Sequence, residues 1–87
     1  MSNAEFREIA EKVVERRKKM DKYRLCAKAL YLMGDIAQAS VYLDAVAALG
    51  GMSQKEADKM LDDVTRECVC VTVGEIEAAI KALKELS

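Results

Sequence analysis

Three cysteines, Cys26, Cys68 and Cys70, are the side chains best suited to hold a soft metal ion. A structural zinc site needs four Cys or His ligands, usually as two close pairs. Cys68 and Cys70 form one close pair, Cys26 is distant in the sequence, and the chain has no His. We therefore predict that the cysteines are small buried hydrophobes and that the chain binds no metal. The alternative is a dimer that pools Cys68 and Cys70 of two chains into a four-ligand site.

The rest of the sequence offers little for catalysis. The absence of His excludes Ser-His-Asp and Cys-His arrangements. Gly50-Gly51 is not followed by the Lys and the Ser or Thr of a phosphate-binding loop. Asp62 and Asp63 belong to a set of acidic residues whose spacing is typical of solvated helix faces. We therefore predict that the protein is not an enzyme, has no catalytic residues and needs no cofactor.

The most pronounced electrostatic feature is a concentration of basic residues near the N-terminus. The first 30 residues carry nine basic and five acidic groups, net +4, whereas the remainder carry five and ten, net −5. Such a basic run can face solvent, nucleic-acid phosphates or an acidic protein surface. Four consecutive basic residues point all round a helix, and aromatic side chains for base stacking are scarce. A solvated helix face is the usual role of such a run; among binding roles we favour an acidic protein surface, such as residues 53–77 of a second copy, and keep nucleic-acid binding by segment 16–28 as the alternative. The basic residues are Arg16, Arg17, Lys18, Lys19, Lys22, Arg24 and Lys28.

The element that positions this basic run is predicted to be one long helix. Apolar residues at alternating spacings of three and four run through the first third of the chain, interrupted only by Arg16. Such a period over three heptads indicates a coiled-coil-like helix, and no Gly or Pro breaks residues 4–33. A continuous helix here would be about 45 Å long. The alternative is that Asp21 caps a second helix. The apolar residues are Phe6, Ile9, Val13, Met20, Tyr23, Ala27 and Leu30.

Turn and capping signals divide the rest of the chain into further helices. Gly34-Asp35 ends the first helix and starts the next, because Gly tolerates a positive φ and Asp caps helix N-termini. Residues 36–49 are apolar nearly all round, which predicts a central helix touched on several sides. Ser53–Glu56 and Thr72–Glu75 are capping-box patterns, and the second predicts a helix from about Val73.

These signals predict a single all-α domain over residues 1–87, a bundle of four to five helices with a long N-terminal helix. Residues 68–73 are ambiguous, since a short extended link and a helical continuation both fit. The apolar stretches fall short of the ~20 residues of a membrane span, so we expect no membrane association. The N-terminus shows no signal-peptide pattern, and an odd number of cysteines favours reduced thiols. Both observations predict a cytoplasmic protein.

Residues 23–51 resemble one tetratricopeptide repeat. The shared features are small residues at helix crossing points, aromatic residues at fixed offsets and a Gly-Asp turn between two helices. The segment departs from the repeat in lacking Trp near the start of its first helix and in having Gly51 where Pro is usual. The resemblance implies an antiparallel helix pair that binds a peptide or protein on a concave surface. It rests on Tyr23, Ala27, Leu30, Tyr31, Gly34, Asp35, Ala39, Tyr42, Leu43 and Ala45.

The expected helix lengths point to an assembly interface. The later helices of about 14–16 residues would be roughly 21–24 Å long, so a 45 Å first helix would project beyond them and leave its apolar end uncovered. We therefore predict a non-catalytic protein–protein interaction module, such as an adaptor, a small chaperone or an inhibitor, and a homodimer as its state. The basic run would steer an acidic partner. The predicted partner-binding residues are Phe6, Ile9, Val13, Arg16, Arg17, Lys18, Lys19 and Met20.

Overall fold

The computed structural model describes residues 2–86, and these residues form four α-helices and no strand. The predicted all-α class is confirmed. Each helix starts or ends within a few residues of the signals identified in the sequence. The helices are α1 (Asn3–Leu32), α2 (Ile36–Gly50), α3 (Gln54–Glu67) and α4 (Val73–Leu86).

Helix α1 runs through Asp21 without a break and contains 30 residues. Its N-cap is Ser2, whose Oγ accepts a hydrogen bond from the Glu5 amide at 3.2 Å. Asp21 therefore starts no second helix, because it lies in a long run free of Gly and Pro where the backbone hydrogen bonds continue on both sides. The longest dimension of the described chain, 48 Å, is close to the length of this one helix.

The turn between α1 and α2 is a Schellman motif at Gly34. Gly34 has φ +85°, its amide donates to Tyr31 O at 3.0 Å, and the Asp35 amide donates to Leu30 O at 2.9 Å. The Asp35 carboxylate then caps α2 by accepting from the Gln38 amide at 3.2 Å. The predicted turn is confirmed, and its tightness folds α2 back along α1.

The starts of α3 and α4 are set by hydroxyl caps. Ser53 and Glu56 form the predicted capping box, in which each side chain faces the other residue's amide. At α4, Thr72 Oγ1 accepts from the Glu75 amide at 3.2 Å, and the helix begins at Val73 as predicted. Residues 68–72 are turn and irregular backbone, so the ambiguous stretch is a short link rather than a continuation of α3.

The C-terminal half of α1 forms the centre of the fold. Among the helices of residues 2–86, it packs against α2, α3 and α4, whereas α2 packs only against α1 and α3, and α4 only against α1. The prediction that residues 36–49 form the central helix is therefore wrong: their apolar side chains include Val41, which is exposed to solvent. All buried residues of α1 fall between Cys26 and Leu30. Within residues 2–86, no helix is both long enough and apolar enough to cross a membrane.

Small side chains allow α1 and α2 to approach closely. Ala27 and Ala39 are completely or almost completely buried, and Leu43 and Val46 of α2 fill the space around them. The rings of Tyr23 and Tyr42 contact each other with centroids 5.8 Å apart. This packing secures the second half of α1 and leaves the first half to project from the fold. Val64 of α3 is fully buried against the same core.

Candidate protein interface on the first helix

The N-terminal half of α1 is a helix without tertiary cover, because every residue from 2 to 19 is exposed. Phe6 is 68% exposed, Ile9 50% and Val13 36%. At about 100° per residue these three side chains and Met20 lie within about 60° of one another around the helix. We refer to Phe6, Ile9, Val13 and Met20 as the seam. The structure thus places three of the predicted apolar residues, Phe6, Ile9 and Val13, on one exposed face.

Met20 marks the point where the seam reaches the folded part of the chain. It is half-buried and lies against the end of α2, where a side chain at Gly50 would come within 2.8 Å of Met20 Cε. Met20 also lines a cleft of about 520 Å³ between α1, α2 and α3. We call it the methionine cleft, since Met52 and Met60 are among its apolar walls together with Val46. Its walls come from three helices and from the link between α2 and α3, so no continuous stretch of the sequence contains them.

The basic residues of α1 divide into two groups with different environments. Arg16, Arg17, Lys18 and Lys19 are exposed, and none of them forms an ion pair with another residue of the described range 2–86. Arg16 and Arg17 flank the seam, and both line a shallow surface pocket beside Met20 and the C-terminal end of α2. These four residues are therefore available to a partner.

Lys22, Arg24 and Lys28 instead form ion pairs with acidic residues of the same chain. Lys22 Nζ lies 2.7 Å from Glu85 Oε2, and the hydrogen bond from Lys22 lowers the pKa of Glu85 below its ordinary value. Glu67 of α3 bridges the other two: Lys28 Nζ lies 2.9 Å from its Oε2, and Arg24 Nη2 lies 2.9 Å from its Oε1. Three of the seven residues assigned to the basic surface therefore carry internal ion pairs.

The ion pairs of Glu67 lie partly inside the protein. Lys28 is only 8% exposed, and its hydrogen bond, followed by that of Arg24, lowers the pKa of Glu67 despite the opposing effect of burial. Arg24 and Lys28 are one helical turn apart and share a face, which was the available sequence signal for a common acidic partner. Nothing local identified Glu67 as that partner, because it lies on another helix.

The cysteines occupy three different environments. Cys26 is fully buried, Cys68 is partly buried with Sγ 3.9 Å from Lys28 O, and Cys70 is exposed. The prediction of buried thiols is therefore wrong for Cys70, which lies in the link before α4. Burial raises the pKa of the Cys26 and Cys68 thiols, whereas a reactive thiol requires a lowered pKa. Within residues 2–86, no three metal-ligating side chains lie together.

Comparison with known proteins yields no relative. No protein family profile matches the chain, no curated protein matches it significantly, and no solved structure does so either.

Proposed function

We propose that this chain is a non-catalytic protein–protein interaction module that binds through the N-terminal half of α1. The observation that carries the proposal is the exposure of Phe6, Ile9 and Val13 on one face of a helix that the described residues leave uncovered. Contiguous exposed apolar surface of this kind marks interaction sites. An adaptor, a small chaperone or an inhibitor would use the seam in the same way, by burying a helix face against a partner.

Arg16, Arg17, Lys18 and Lys19 supply the electrostatic part of the proposed interaction. All four are exposed, and Arg16 and Arg17 lie directly beside the apolar residues. Charged groups at the rim of an interface increase the association rate and select partners of opposite charge, while the apolar centre supplies most of the affinity. We therefore expect acidic side chains of the partner to face these basic residues. The likeness of residues 23–51 to a tetratricopeptide repeat stays a prediction, and the proposal does not depend on it.

Nucleic-acid binding by segment 16–28 receives less support from the geometry. Lys22, Arg24 and Lys28 are engaged with Glu85 and Glu67, which leaves four consecutive basic residues and few phosphate contacts. Binding of duplex DNA by fluorescence anisotropy would test this alternative. A regulator would show strong binding whose affinity falls linearly with salt concentration on logarithmic axes.

The proposal can be tested with two double variants that differ only in the face of α1 they change. Ile9→Glu with Val13→Glu places charges on the seam, and Ala10→Glu with Val14→Glu places the same charges, with the same spacing, on a neighbouring exposed face. Tagged wild type and both variants are used to capture proteins from the native host, with quantification by mass spectrometry. We expect the seam variant to lose partners that the wild type and the control retain. Equal capture by all three would refute the role of the seam.

A further inference from the structure

Along one side of the seam, the charges of the exposed half of α1 complement themselves when the helix is reversed. At about 100° per residue, Glu5 lies on one flank of the seam near its N-terminal end, with Glu8 further round on the same side, and Lys19 lies on that side near the other end. Arg16 interrupts the seam itself next to that flank. The exposed helix is therefore acidic at one end and basic at the other along one edge of its apolar face.

From this arrangement we propose that the occupant of the seam is a second copy of this chain, paired antiparallel along residues 3–20. The inference rests on the function proposed above and identifies its partner. A two-fold axis near residues 12–13 brings Glu5 of one copy opposite Lys19 of the other, and Glu8 opposite Arg16. Both contacts occur twice in a symmetric pair. Lys12 lies near the axis and faces Lys12 of the other copy, and Arg7 faces Arg17 on the opposite side of the seam, so the attraction comes from the two ends of the first side alone.

Antiparallel pairing also brings apolar residues of the two copies into contact. Phe6 and Met20 are each seven residues from Val13, about 10 Å along the helix on either side. An axis near Val13 therefore brings Phe6 of one copy against Met20 of the other, at the edge of the methionine cleft. Flexible methionine side chains adapt to an aromatic ring and make favourable sulfur–aromatic contacts. The second copy thus covers Phe6, the most exposed residue of the seam.

Parallel pairing would be opposed by the same residues. It would align the four consecutive basic residues, Arg16–Lys19, with the identical four of the other copy, and like charges at the flanks of a coiled-coil seam disfavour that partner orientation. The acidic segment 53–77, considered from sequence as the complementary surface, is a weaker candidate. Its residue Glu67 is already paired with Arg24 and Lys28 of its own chain.

The mass of the full chain is measured first, by sedimentation equilibrium at 10–200 μM in ~150 mM salt, near the physiological ionic strength at which exposed charges are screened beyond about 8 Å. We expect a dimer that is weakened at least tenfold by Phe6→Ala and unchanged by Val14→Ala, since Val14 is exposed but lies off the seam. A monomer throughout this range would overturn the proposal. If the seam variant still lost captured proteins in that case, the proposed function would stand with another partner.

The orientation is tested by exchanging charges. Glu5→Lys with Glu8→Lys, and separately Arg16→Glu with Lys19→Glu, should each weaken the dimer at least tenfold, because like charges then meet at both ends. The four substitutions combined in one chain restore opposite charges in an antiparallel pair, so its dimer should recover. Circular dichroism at 222 nm checks that every variant stays helical. A helical combined variant that fails to dimerise, or a dimer insensitive to the single-block exchanges, would overturn antiparallel pairing.

Discussion

The ion pairs around Glu67 predict a large effect of a small substitution. Glu67→Gln keeps the size of the side chain but removes the charge that Lys28 Nζ contacts at 2.9 Å. Breaking a buried ion pair costs about 3–5 kcal/mol, because the remaining charge stays desolvated. The Glu67 side chain is 37% exposed, so solvent screening reduces the expected loss to about 1–3 kcal/mol. This is a substantial part of the roughly 4–13 kcal/mol expected for a chain of this length.

Urea denaturation followed by circular dichroism measures this loss. With a slope of about 1 kcal/mol per molar for a small domain, the midpoint of Glu67→Gln should fall by about 1–3 M at neutral pH. Glu85→Gln is the matched control, since its pair with Lys22 has both side chains more exposed, at 38% and 44%. Its midpoint should stay close to the wild-type value. Equal shifts in the two variants would refute the argument that burial of Lys28 gives the Glu67 pair its importance.

The lowered pKa of Glu67 also predicts how the difference in stability between wild type and Glu67→Gln changes with pH. The pKa of Glu67 is lowered from an ordinary value of 4.5, so the unfolded chain binds a proton more readily than the folded one. The stabilising effect of the ionised Glu67 carboxylate is complete above the ordinary pKa of 4.5 and is lost as the pH falls through the lower pKa of the folded state. The difference in unfolding free energy between wild type and Glu67→Gln should therefore be constant from pH 6 to 7 and shrink below about pH 4.5. A difference that grows on acidification would contradict the assignment.

Two further predictions test the turns and the thiols. Gly34→Ala should lower the thermal midpoint by the equivalent of about 1 kcal/mol, because φ is +85° while the space around a Cβ is open. Gly74→Ala, in the equally open first turn of α4, should leave the midpoint unchanged or raise it, and a fall in both variants alike would be inconsistent with this reasoning. In a thiol-reactivity assay at pH 8 with a chromogenic disulfide, Cys70 should react first, Cys68 more slowly and Cys26 only on unfolding, since burial raises the pKa of the latter two. A fast phase that persists in Cys70→Ser would argue against this order.

Helix boundaries were predictable because their causes are local. The Gly34 turn and the caps at Asp35, Ser53 and Thr72 each depend on hydrogen bonds between residues within about one helical turn. Both partners of each hydrogen bond are therefore found in one short stretch of the sequence. The same locality explains why α1 was recognisable as a helical run without a breaker. At Asp21, where a boundary was left open, the weak cap signal was overridden by the surrounding helix formers.

The partly buried ion pairs were not predictable from the sequence, because the two partners of each pair lie on different helices. Arg24 and Lys28 looked like part of a surface for phosphates or an acidic partner, and only the packing of α3 against α1 placed Glu67 between them. The central position of α1 was hidden for a similar reason. An Ala-rich α2 has the composition of a central helix, but composition does not show how many neighbours a helix has.

The seam shows most clearly which features the sequence alone determines and which depend on the tertiary structure. The 3/4 spacing in the sequence determined that Phe6, Ile9, Val13, Met20, Tyr23 and Ala27 share one face of one helix, since that follows from the helical period alone. Only the tertiary structure decided which part of the face is buried: Ala27 lies in the core, and Phe6 is exposed. The period is the same along the whole stripe. Burial depends on where the packed neighbour of α1 ends: α2 ends at Gly50 beside Met20, and that is a property of the packed chain.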